Sequence, residues 1–196
     1  MRRRKRAFDL VMVSGGMVVF APVMVLLAAL IRWEDGGEVF FRQQRVGRGS
    51  RPFGILKFRS MRDEVVTTTG RWMRGTGLDE IAQFLNILQG EMSLVGPRPL
   101  TSADLQRLGW AGQDMRWRLS TKPGVTGLAQ VFGGRGAETS RALDRAYIGS
   151  WSLRLDVELV AISFAMNALG KARVRRLLTR PVAQRLRAVR LQRAAA

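Results

Sequence analysis

Asp79 and Glu80 are adjacent acids in a stretch, Gly75 to Pro99, that reads GTGLDEIAQFLNILQGEMSLVGPRP. Ile81, Phe84, Leu85 and Leu88 follow at the i, i+3, i+4, i+7 spacing of one buried helix face. The acids therefore stand in the first turn of a predicted helix that Gly90 stops. A helix start offers free N–H groups and about half a positive charge, which keeps both carboxylates ionised. An ionised aspartate can be a covalent nucleophile toward phosphorus, and an ionised glutamate beside it can hold a hard divalent cation. Acids in a first turn are also ordinary dipole compensation, so the neighbours must decide. Gly96-Pro97-Arg98-Pro99 fixes one guanidinium between two prolines. Lys57 and Arg59 share one face of a predicted strand, where a solvated edge is the competing reading. Lys122-Pro123-Gly124 fixes a turn and presents a cation, Thr126-Gly127 adds a hydroxyl and an approachable backbone, and residues 133–136 (GGRG) repeat the pattern. Cation, hydroxyl and exposed N–H groups suit phosphate oxygens; plain structural turns are the alternative.

Composition narrows the chemistry. The chain has no histidine and no cysteine, which removes the commonest general base, the commonest metal ligand and any disulfide. Catalysis must run on carboxylates, lysine, arginine, hydroxyls or an oxygen-held metal. The balance of 33 basic to 15 acidic residues, net +18, implies an anionic partner: nucleic acid, an acidic membrane surface or a phosphorylated substrate. A length of 196 residues allows one domain plus an additional segment.

The elements that must position these residues start with a basic cluster, MRRRKR, followed by Leu10 to Ile31 without a charge. At about 1.5 Å per residue that segment covers a hydrocarbon core of roughly 30 Å. Basic residues flank both sides, with Arg32, Arg42 and Arg45 following, and the positive-inside rule puts both flanks in the cytoplasm. Pro22 lies mid-segment. Residues 1–33 are thus expected to form a re-entrant membrane helix–break–helix hairpin broken at Pro22, with a bitopic helix as the rival. No small-x-small site follows to favour a signal peptide.

Residues 34–170 are expected to form a small cytoplasmic catalytic domain. Val39–Phe41 and Phe53–Phe58 predict a short β-hairpin around a basic, glycine-containing turn, Arg45 to Ser50. Thr67 to Gly70 reads as a loop, Arg71 to Arg74 as a helical turn before the acids, and Thr101 to Trp117 as a helix packing Leu105, Leu108 and Trp110. Asp144 and Tyr147 share a helix face. Leu155 to Leu169 is an apolar helix suited to the core or the membrane interface. Residues 171–196 are an Arg-rich tail without acids, read as an anionic-lipid contact or a disordered arm. The fold class is α+β, mostly helical. No Walker A, no dinucleotide fingerprint and no nucleic-acid module is present.

In order, these motifs resemble the bacterial sugar transferase family, the monotopic polyprenyl-phosphate phosphoglycosyl transferases. The resemblance rests on Lys5-Arg6 and Phe8-Asp9; Phe41 with Gln44-Arg45 and Gly47; Lys57 to Met61; Leu78-Asp79-Glu80 with Gln83, Phe84 and Asn86; Gly90 to Pro99; Lys122 to Gly127 with Gln130-Val131; and Asp144 with Tyr147. It implies transfer of a sugar-1-phosphate from a UDP-sugar to undecaprenyl phosphate at the cytoplasmic face of the bacterial inner membrane, with release of UMP. It further implies Asp79 as the nucleophile, Glu80 with Asp79 on Mg²⁺, and Lys57, Arg59, Arg98, Lys122, Pro123, Gly124, Thr126, Gln130 and Asp144 at the substrates. The chain departs from the family pattern at Ala21, Ala82, Leu128 and Lys122, where Ser, Pro, Trp and Arg are common. None of these touches the acid pair. A membrane-tethered basic scaffold or nucleic-acid binder is the alternative of another class. A CDP-alcohol transferase lacks its D-x-x-D-G-x-x-A-R signature here.

Overall fold

The computed structural model describes residues 2–133 and 136–177. Gly134, Arg135 and the tail residues Arg180, Pro181, Arg185, Arg187 and Arg190 lie outside the described residues. The fold is mostly helical, with one long N-terminal apolar helix and small sheets.

Helix α1, Arg2–Asp35, is a single element of 34 residues with Pro22 inside it. The expected helix–break–helix is thus one helical element rather than two halves joined by a loop. Proline removes one intrahelical hydrogen bond, and the packing of one stripe on both sides of Pro22 keeps the helix continuous. Lys5, Asp9, Val13, Leu27 and Ile31 are buried along that stripe. On other faces Val11, Val18, Val19, Val25, Leu26 and Trp33 are exposed, an apolar surface that supports membrane association.

The predicted hairpin forms from β1, Phe40–Val46, and β2, Pro52–Phe58, antiparallel in the register Phe40↔Phe58 to Val46↔Pro52. Its turn passes through Gly49 at φ 66°. Strands β3, Met61–Arg62, and β4, Val65–Val66, make a second, minimal hairpin. Thr67 does not open a loop: its hydroxyl accepts from the Gly70 N–H and caps α2, Thr68–Thr76. Glu34, at the end of α1, accepts from the N–H groups of Thr68 and Thr69 at 2.7 and 3.1 Å. The long apolar helix is thereby tied to the helix that leads into the acids.

Gly77, at φ 76°, ends α2 and starts the 3-10 turn Leu78–Glu80, which runs into α3, Gln83–Gln89. Asn86 locks α3 to β2, accepting from Leu56 N–H at 2.9 Å and donating to Gly54 O at 2.8 Å. Arg6 donates to the carbonyls of Ile87 and Leu88, neutralising the negative end of α3. Strands β5, Ser93–Val95, and β6, Gly124–Thr126, pair in parallel. Between them α4 is only Ser102–Arg107, shorter than the sequence suggests, because Gly109 at φ 67° turns the chain away. Leu105 and Trp110 still pack together, with Met115 and with Leu108 at the margin.

The chain continues through α5, Leu128–Phe132, α6, Ala137–Gly149, and α7, Leu153–Leu169. Asp156 on α7 is fully buried and receives three donors: Lys5 Nζ at 2.7 Å, the Tyr147 hydroxyl at 2.8 Å and Trp151 Nε1 at 3.0 Å. This network staples the start of α1 to α6 and α7. Burial, and then the Asp156 carboxylate, push the Tyr147 phenol far above its ordinary value, so it remains a neutral donor.

Candidate active site

Asp79 and Glu80 occupy the 3-10 turn just before α3, not a first α-helical turn, but the chain stays helical through Ile81 and Ala82. Lys57, near the end of β2, reaches across: its Nζ is 2.7 Å from Glu80 Oε1 and 3.9 Å from Asp79 Oδ2. Strand alternation explains this placement, since buried Leu56 and Phe58 face the core and turn Lys57 the other way. The Asp79 side chain is 11% exposed and Glu80 33%, so the two acids sit in different environments. Burial raises Asp79 above the usual carboxylate range; Lys57 and Arg74 oppose this and the Glu80 charge adds to it. The net shift of Asp79 is thus upward, opposite to the lowering expected from a helix start alone.

A cavity of about 860 Å³ adjoins the pair, a size typical of ligand sites. Of the residues anticipated from sequence, Asp79, Glu80, Arg98, Thr126, Gln130 and Asp144 line it. Arg98 is exposed while Gly96, Pro97 and Pro99 beside it are buried, as a rigid turn presenting one guanidinium requires. The Gln130 amide has both polar atoms buried without a hydrogen-bond partner among the described residues. Thr126 Oγ1 shares a short hydrogen bond with Ser163 Oγ.

Other anticipated residues lie elsewhere. Arg59 follows β2, and its guanidinium fills the space over Gly37. Lys122 sits at the opposite end of α3, beside Gly90 and Arg6. Burial, and then Arg6, pull its ammonium below the ordinary lysine value. Pro123 and Gly124 are buried. The glycines of this motif serve backbone packing: a Cβ on Gly124 would come within 2.1 Å of Gly96 N, and one on Gly127 within 2.2 Å of Gly96 O. The Arg98 turn and the Lys122–Gly127 motif are therefore one unit, joined by Gly96 N–H to Thr126 O and Gly124 N–H to Pro97 O, both at 2.9 Å.

Two cations at the site carry no sequence signal of their own. Arg74, on α2, lines the cavity and donates to Ser60 Oγ at 2.8 Å. Arg118 is buried and forks between Asp144 Oδ2 at 2.8 Å and Arg98 O at 2.7 Å, with Trp110 against its guanidinium. Asp144 thus reaches the cavity wall already bonded to Arg118, and through it to the Arg98 turn.

Among the described residues no three acids cluster as a metal cage. Mg²⁺ needs none: one or two carboxylates plus substrate phosphates suffice. Asp79 and Glu80 provide that oxygen set on the wall of a cavity with room for a diphosphate, so the residues fit the ion.

A family model described as bacterial sugar transferase matches residues 1–168. A UDP-glucose:undecaprenyl-phosphate glucose-1-phosphate transferase of Caulobacter vibrioides is 40% identical over 178 residues, covering 80% of this chain and 67% of that protein. The exopolysaccharide production protein ExoY of Rhizobium meliloti is 35% identical over 187 residues, 80% of this chain and 81% of that protein. An undecaprenyl-phosphate glucose phosphotransferase of Komagataeibacter xylinus is 38% identical over 192 residues, covering 85% of this chain but only 36% of that protein. The chain belongs to the bacterial sugar transferase family.

Proposed function

We propose that this chain transfers a sugar-1-phosphate from a UDP-sugar to undecaprenyl phosphate, releasing UMP and starting the assembly of a surface glycan. The observation that carries the reading is the Asp79–Glu80 pair, bridged by Lys57, on the wall of a cavity that Arg74, Arg98 and Arg118 make cationic. Asp79 Oδ attacks the sugar-bearing phosphorus, the phosphoanhydride bond breaks, and UMP leaves with the electron pair. A phosphosugar–aspartyl ester remains. An oxygen of the lipid phosphate then attacks the same phosphorus and expels the Asp79 carboxylate. No proton need move in either displacement, which suits a site without histidine. Lys57 and Arg98 neutralise the diphosphate, and Arg118 holds the Arg98 turn in place. Glu80, with Asp79, would hold Mg²⁺, which when bound neutralises charge on the diphosphate.

The same reading seats α1 in one leaflet, at the cytoplasmic face of the inner membrane. Both ends of α1 are tied to the rest of the chain, Lys5 to Asp156 and Glu34 to α2, with Phe20 against Phe84 between them. A helix anchored at both ends to one body has no free span with which to cross a bilayer. Assay of UMP release from a panel of UDP-sugars, with undecaprenyl phosphate and Mg²⁺ in lipid vesicles, tests the function. Release dependent on both substrates is expected; its absence with every UDP-sugar contradicts the reading.

A further inference from the structure

Residues 171–177 are helical and lie beyond the family match, which ends at 168. They nevertheless supply a wall of the cavity through Lys171 and Arg175. Arg175 donates to the carbonyls of Val131 at 3.1 Å and Gln130 at 3.0 Å, and its guanidinium fills the space over Gly133. It thereby docks this segment on the end of α5, next to the Gln130 amide, which has no hydrogen-bond partner among the described residues. Val174 is buried beneath, so the docking has an apolar anchor.

Lys171 is exposed at the cavity with no acidic partner among the described residues, and no acid follows it in the chain. Its segment carries exposed apolar side chains alongside the exposed Arg173 and Arg176. Phe164 and Leu169 precede it and Leu177 follows, each more than half exposed, and Phe164 lines the same cavity together with Phe20 of α1. Cations interspersed with exposed apolar side chains, on the cavity wall shared with the membrane-associated helix, suit an anionic headgroup whose tail stays in lipid. Asn167, near the end of α7 and before the Gly170 break that leads to Lys171, lies against Gly77, two residues from Asp79. Lys171 and Asp79 line the same cavity, so a group bound at Lys171 opens onto the space the nucleophile faces.

We infer that Lys171 binds the phosphate of the lipid acceptor, and that Arg175 is a positioning residue that holds the Lys171 segment and α5 against the cavity. The inference rests on the proposed transferase reaction but adds a residue outside the matched region. Its test uses the full chain in vesicles. Lys171→Glu is expected to raise the KM for undecaprenyl phosphate about tenfold. The KM for UDP-sugar and the single-turnover UMP burst with donor alone should stay unchanged. Arg175→Lys should lower kcat and acceptor affinity together, since a point charge cannot serve both carbonyls. Independently of turnover, undecaprenyl phosphate but not undecaprenol should protect Lys171 from amine labelling read by mass spectrometry. An unchanged acceptor KM in Lys171→Glu overturns the inference, as does a rise confined to the donor KM or equal protection by the uncharged lipid. A wild type that gives no UMP yet shows phosphate-specific protection rejects the transferase reading and keeps the anion site.

Discussion

Two lysine–carboxylate centres in this chain use the same chemistry to opposite ends. At Lys5–Asp156 the carboxylate is fully buried and takes three donors, from the lysine, a phenol and an indole. Nothing is left over for a ligand. At Lys57–Glu80–Asp79 one lysine serves two acids, one at 2.7 Å and the other at 3.9 Å, on the wall of an 860 Å³ cavity. The first centre is saturated and staples helices together; the second, among the described residues, shares one lysine between two carboxylates and lines the cavity. Charge identity says little about role, whereas the balance of donors to acceptors says a great deal.

Substitutions separate the two. Asp79→Asn should abolish turnover, by at least about 10³-fold, because the amide is no nucleophile. It should not unfold the protein. Burial raises the Asp79 pKa in the folded state, so this group favours folding at low pH and the benefit is lost as pH rises through the folded pKa. At neutral pH the ionised side chain is a burden, and Asp79→Asn should raise Tm in a thermal scan. Asp156→Ala should do the reverse. Leaving Lys5 buried and unpaired costs about 3–5 kcal/mol, lowers Tm by roughly 10 °C, and removes activity only by unfolding.

Arg118→Lys tests the link between structure and site. It keeps the charge beside Asp144 but cannot also reach Arg98 O, so kcat/KM should fall about tenfold with a smaller loss of stability. Lys57→Ala should have the smallest effect on Tm, since a partly exposed pair contributes at most about 1 kcal/mol. Its signature lies in the pH profile. The acid limb of UMP release should stand above the ordinary carboxylate range in wild type and move further up without Lys57, whose charge holds Asp79 down. A limb that stays in place removes Lys57 from the account.

What sequence alone could say follows from how local each feature is. The β1–β2 hairpin was legible because its alternation and its glycine turn lie within one short stretch. The acid pair and the Arg98 turn were legible because prolines and glycines mark them. Arg118 was not, because its partners are 20 and 26 residues away and its own surroundings have no pattern. Gly124 and Gly127 read as phosphate-approach glycines, yet their missing side chains admit the Gly96 backbone instead. Lys122 looked like a site cation and lies at the far end of α3. Thr67 looked like a loop residue because a cap and a loop share the same residue types. Apart from Thr67, whose cap contact with Gly70 is local, the deciding fact is a contact distant in sequence.

The central claim is a covalent bond between Asp79 and phosphorus. Mass spectrometry of the Asp79 peptide, after incubation of the protein with UDP-sugar alone and an acid quench, tests it most directly. The account predicts a peptide heavier by one sugar phosphate, formed in step with UMP and absent from Asp79→Asn. Release of UMP with an unmodified Asp79 peptide, or with the added mass on another residue, contradicts it.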